Sequence, residues 1–140
     1  MTYAAVTDLV ERFGEEEIIQ LTDRSHTGSI DGAVAERALG DATAEIDGYL
    51  AARYVLPLEH TPVVLVRLCA DLARYYLYDD HAPEQVSERR KAAVETLRRL
   101  SAGQVALGVS EQGDAPETAD GAEMDGGGRV WGRTDSKGFI

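Results

Sequence analysis

The side chains able to do chemistry in this sequence are few and scattered. Three histidines stand at positions 26, 60 and 81, each in a turn-forming stretch or beside a proline, and no two share the spacing that would align them on one helix face. A zinc-type site needs three or four convergent donors. His26 with Asp23 and Asp31, or His81 with Asp79 and Asp80, are the sets a fold could draw together, and both read instead as solvent-facing turn residues. The one cysteine, Cys69, lies among Val, Leu and Ala with no neighbouring histidine. It is expected to be a buried thiol, and it excludes an intramolecular disulfide or a cysteine metal cluster. Glu15-Glu16-Glu17 and Asp79-Asp80 suit helix ends better than general acid–base work. Gly126-Gly127-Gly128 precedes no helical pattern, which rules out a phosphate loop, and no serine sits in a nucleophile-elbow setting. The expectation is a protein with no catalytic residue, no cofactor and no metal.

The elements that carry these groups are helical. The fold class expected is all-α: a small bundle of three long helices with short N-terminal helices before them and an extended C-terminal arm after them. Thr7 can cap a first short helix through Phe13, Gly14 can end it, and Glu15 to Leu21 offers a second. From about Asp31 to Tyr54, Ala35, Ala38, Leu39, Ala42, Ile46, Tyr49, Leu50 and the Arg53 stem fall on one helical face. Thr61-Pro62 reads as the cap and first turn of a helix running to about Asp79, and a third long helix starts near Pro83 and stops at Gly103. Gln104 to Val109 alternates as a short strand or an extended exit would. The most apolar stretch, within the Pro62 helix, is interrupted by Arg67, Asp71 and Arg74, and the first residues lack a basic-then-apolar signal pattern, so no membrane span and no secretion signal are expected.

Arg67, Asp71 and Arg74 are the charges on that otherwise apolar helix. Asp71 follows Arg67 by four positions and precedes Arg74 by three, so pairing within the helix is geometrically available. The strip reads either as a partly solvated line of paired charge or as a subunit boundary, where arginine is favoured. A helix apolar on nearly all sides should be central, and it offers more apolar surface than two flanking helices readily cover, which points to self-association.

Charge and glycine divide the chain into three parts. Residues 1–109 form the helical domain. Residues 110–128 hold six carboxylates, no basic side chain and the glycine run, the composition of a linker. Residues 129–140 hold Arg129, Val130, Trp131, Arg133, Lys137 and Phe139, with the only tryptophan of the chain, and read as a docking tail. Twenty-five acidic against fourteen basic side chains give a net charge of -11, which disfavours general binding to phosphate-bearing partners. The two short N-terminal helices do not make a helix-turn-helix reader, because the second opens with three glutamates where phosphates would lie. The Arg89, Arg90, Lys91, Arg98 and Arg99 set is interleaved with Glu84, Glu88 and Glu95 and reads as a solvated helix face.

Several segments taken together resemble the Mu-like phage head-to-tail adaptor family. They are Met1-Thr2-Tyr3-Ala4, Asp8 to Gly14, Glu45 to Tyr54, Leu56-Pro57-Leu58 with Pro62, Leu68 to Leu77, and Asp135-Ser136-Lys137-Gly138. The resemblance spans essentially the whole chain, with the acidic linker departing most. It implies a virion structural protein found in the neck between capsid and tail, and in the host cytoplasm during assembly. It further implies a homo-oligomeric ring, twelvefold, that joins the portal protein to a tail-side connector or tail terminator protein while DNA passes through the lumen without specific binding. It offers no catalytic residue to carry over. The tail residues Arg129 to Phe139 would then dock on the portal or a neighbouring subunit, with Trp131 entering a pocket. The competing expectation is a monomeric regulatory module that uses the same C-terminal peptide to capture one protein partner.

Overall fold

The computed structural model describes residues 1–108, and all the regular structure among them is helical. The order is α1 (Val6–Phe13), α2 (Glu15–Thr22), α3 (Gly32–Leu50), α4 (Val63–Tyr78), a single 3-10 turn (Asp79–His81) and α5 (Glu84–Ser101). The expected all-α class with three long and two short helices is what the described residues adopt. The linker at 110–128 and the tail at 129–140 lie outside the described residues.

Local chemistry sets the helix boundaries. α1 starts two residues earlier than expected: Ala5 is the cap, and the Asp8 carboxylate accepts from the Ala5 N–H at 2.7 Å, so Thr7 lies inside the helix. Gly14, at φ 96°, closes α1 through its N–H to the Val10 carbonyl (2.8 Å) and also caps α2, a double role that an L side chain at that φ would strain. Asp31 caps α3, its carboxylate accepting from the Ala33 and Val34 N–H groups at 3.1 and 3.4 Å. α3 stops at Leu50 rather than Tyr54. Residues 51–53 form a turn, and Tyr54 turns into the core, where its hydroxyl accepts from the Leu107 N–H at 3.4 Å. Pro62 sits in extended backbone as the cap of α4, one step earlier than the first-turn position expected for it. Beyond α5, Gly103 takes φ 80° and its backbone meets Arg53 so closely that a Cβ would stand 1.6 Å from Nη1. No strand forms over the described part of the exit segment; Leu107 packs into the core instead.

α4 is the central element. Leu65, Leu68, Cys69, Ala70, Leu72, Ala73 and Leu77 are all buried, against α3 on one side and α5 on the other. The small side chains Ala35, Ala38, Ala42, Ala70, Ala73 and Ala93 let the three long helices approach closely. The apolar surface expected to need a second copy is covered within the chain, because α1 and α2 lay Leu9 and Ile18 onto the bundle. At about 25 cal/mol per Å² of apolar surface, a fully buried leucine such as Leu68 contributes roughly 2 kcal/mol.

Candidate functional site

The charged strip on α4 is a set of latches between helices. Asp71, 3% exposed, accepts from Arg89 Nε of α5 at 3.1 Å and lies 3.8 Å from Arg67 Nη1 one turn earlier. Burial pushes its carboxyl above the ordinary range, while Arg89 and then Arg67 pull the other way. Arg74 turns to α2, where Nε and Nη2 donate to both oxygens of Glu17 at 2.7 and 3.1 Å, and its guanidinium stacks 4.2 Å from the Phe13 ring centre of α1. Tyr78 adds its hydroxyl to the same Glu17 carboxylate at 2.9 Å. The i,i+4 pairing expected for Arg67 and Asp71 is present, whereas Arg74 finds its partner 57 positions away.

A second set ties α3 to its neighbours. Glu45 accepts from the Tyr76 hydroxyl in a short hydrogen bond and lies 3.7 Å from Arg90 of α5, whose guanidinium stands over the Tyr75 ring at 4.8 Å. Asp47 accepts from the Tyr3 hydroxyl, which anchors the N-terminal residues on α3. Burial, then the hydrogen bond to Asp47, raises the Tyr3 hydroxyl well above its ordinary range; burial and Glu45 push Tyr76 up to about 12. The basic face expected on α5 is therefore only partly a solvated one, since Arg89 and Arg90 reach inward while Lys91 and Arg99 pair along the helix with Glu88 and Glu95.

The remaining chemistry-bearing side chains are placed as structure. Asp23 accepts from the Thr27 and Gly28 N–H groups at 2.8 and 2.6 Å, which holds its carboxyl below the ordinary range, while Asp31 caps α3. No group of three or more metal-ligating side chains converges among the described residues. Cys69 is buried, its Sγ 3.6 Å from Thr43 Oγ1, and burial raises its thiol. Surface clefts among the described residues include one of ≈ 60 Å³ lined by Tyr3, Asp47, Pro57 and Leu58 among others, and one of ≈ 120 Å³ lined by Arg24, Arg37, Asp41 and Tyr76 among others. Ligand pockets typically run from about 300 Å³.

Of the residues expected to meet partners, Arg74 and Asp71 have their partners inside the chain, and Arg67, 46% exposed, is the one of the three that faces solvent. Arg129, Val130, Trp131, Arg133, Lys137 and Phe139 lie outside the described residues. Sequence reasoning missed Glu17, Phe13, Glu45 and Asp47 as partners.

Over residues 1–108 these features define a small all-helical body in which Glu17, Glu45, Asp71 and Arg74 tie its own helices together, and among the described residues no helix is long and apolar enough to cross a membrane. The chain belongs to the bacteriophage Mu Gp36 family, whose sequence profile matches residues 3–125. It is 38% identical over 138 residues to the Mu-like prophage FluMu protein gp36 of Haemophilus influenzae, covering 99% of this chain and 98% of that one. It is 39% identical over 142 residues to Gene product J of Escherichia phage Mu, covering both chains in full. The protein is thus a phage protein, and its similarity to these relatives runs through the linker and tail as well as the helical body.

Proposed function

We propose that this protein is a virion structural component, a head-to-tail adaptor. Its copies form a ring, twelvefold, between the portal protein and a tail-side connector or tail terminator protein, in the neck of the particle. DNA passes through the lumen without being held, and the role is structural rather than catalytic. The observation that carries the reading is membership of the phage Mu Gp36 family across residues 3–125, joined to full-length similarity to a phage Mu gene product. The net charge of -11 supports it, because an acidic lining repels phosphate and lets a duplex slide. So does the exposure of Arg67, which pairs with Asp71 yet still faces solvent. The C-terminal segment, with Trp131 and three basic side chains, supplies the docking arm.

The test is removal of the gene from a phage that carries it. Electron microscopy of the lysate should show DNA-filled heads and separate tails, with joining restored when the protein is supplied from a plasmid, and antibody-bound gold should mark the neck of complete particles. Joined, infectious particles at normal yield without the protein would refute the adaptor role.

A further inference from the structure

The large apolar side chains exposed among the described residues are Met1, Val55, Val63 and Val105, at 97, 53, 75 and 41% exposure. All four lie at one end of the bundle. Val55 follows the C-terminus of α3, and Val63 opens α4, which runs back alongside it. Val105 follows α5 just beyond Gly103, whose backbone lies against Arg53 in the turn after α3. Met1 lines a cleft with Pro57 and Leu58 in the connection between α3 and α4. The other end, with Asp79, Asp80 and His81, is polar. Scattered exposed apolar residues need no explanation, but their gathering at one end does.

That end is also where the described chain stops, with Leu107 held on Tyr54 and Gly108 next. Beyond it come 109–128 and then Val130, Trp131, Phe139 and Ile140, apolar side chains in a segment too short to bury them alone. We infer that the apolar end of the bundle is the docking site for residues 129–140 of a second copy of this chain, so that the C-terminal segment of each subunit caps the end of the next. The inference rests on the adaptor reading and names the contact that would close its ring.

Three considerations support this occupant. At no more than ~3.5 Å per residue, the 20 residues 109–128 can bridge up to about 70 Å, so an adjoining copy is within reach of a body with the ~13 Å radius of gyration expected at this size. Segment and body are opposite in sign, which favours their approach without choosing an end: 129–140 holds three basic side chains against one carboxylate, and 1–108 holds eleven basic against eighteen acidic. A contact between a tail and a different surface is heterologous, the kind that closes rings. Covering in cis would bury Met1, Val55, Val63 and Val105 and leave no large apolar side chain exposed on the described body to hold copies together; in trans the same area joins them.

Disulfide trapping on the full chain tests this. Ala102→Cys places a thiol at the apolar end, Gly132→Cys places one in the segment, and native Cys69 is buried. Mixed single variants of different mass should give a crosslinked heterodimer, and the double variant should give a ladder of linked multimers. Asp80→Cys at the opposite end should crosslink with Gly132→Cys at least tenfold more slowly. Val63→Asp, checked for folding by circular dichroism, should weaken self-association measured by light scattering at least tenfold, as loss of an apolar anchor does. A double variant that yields only an internally bridged monomer places the segment in cis and overturns the inference. So does an absence of trapping up to ~1 mM, the effective concentration a tether supplies. Trapping between copies by a protein that proves dispensable for joining heads to tails would refute the adaptor role and leave this contact standing.

Discussion

Breaking the Arg74–Glu17 latch should destabilise the fold by an amount set by its partial burial. The two side chains are 12% and 23% exposed, and the carboxylate is held bidentately at 2.7 and 3.1 Å. Fully exposed pairs contribute about 0.2–1 kcal/mol, while removing one partner of a fully buried pair costs about 3–5 kcal/mol. Arg74→Met falls between these limits, at about 2 kcal/mol, because some water reaches the Glu17 carboxylate left behind; loss of the stack on Phe13 lies within that figure. With a urea slope of ~2 kcal/mol per molar, the unfolding midpoint followed by circular dichroism should fall by about 1 M. Glu17→Gln should cost less, since Tyr78 retains an acceptor. The double variant should be milder than the two single effects summed, with a coupling of about 1–2 kcal/mol. A coupling below about 0.5 kcal/mol would show that α2 is held on α4 by apolar contact alone and would refute the latch.

Leu68→Asp places an unpaired charge at a fully buried position on α4, costing several kcal/mol against a total of about 5–15, and should abolish the cooperative thermal transition; a melt near the parent temperature would deny α4 its central place. Tyr76 has its folded-state pKa raised from 10.0 to about 12, so its contribution is complete below pH 10 and is lost as the pH rises through 12. Absorbance at 295 nm should show this phenol ionising late, together with loss of helical signal, and Tyr76→Phe should flatten the decline in stability over that window. Fluorescence anisotropy with a labelled duplex at physiological salt should give a dissociation constant weaker than ~10⁻⁴ M, the upper end for non-specific binders. Micromolar retention would contradict a channel through which DNA slides.

The inner face of α3 was legible in the sequence because apolar side chains recur every three to four positions, which put Leu39 and Ile46 in the core, and α4 was legible as central because it is apolar on nearly all sides. Gly14 and Asp31 were legible as punctuation, each having a backbone reason to stand where it does. Boundaries slipped where a side chain served tertiary structure: Tyr54 continues the α3 pattern yet leaves the helix to meet Leu107, and Asp8 rather than Thr7 holds the start of α1. The strip on α4 was visible as a strip, but its partners were not. A helical reading sees neighbours three and four positions away, whereas Glu17 is 57 positions from Arg74 and Arg89 is 18 from Asp71.

The direction of the charged side chains decides what surface remains for assembly. Arg74, Arg89 and Arg90 point inward to carboxylates of the same chain, and Lys91 and Arg99 pair along their own helix, so these cations are already engaged when another molecule approaches. α1 and α2 complete the cover of α4, which removes the long apolar face that the sequence alone suggested for self-association. Arg12, Arg24, Arg37 and Arg98 stay exposed together with Arg67, so the surface left along the flanks is charged rather than apolar. Among the described residues the exposed large apolar side chains gather where α3 ends, α4 begins and α5 leaves. Apolar adhesion gathered at one end favours directional contact over indiscriminate association, as a closed ring with a fixed number of copies requires.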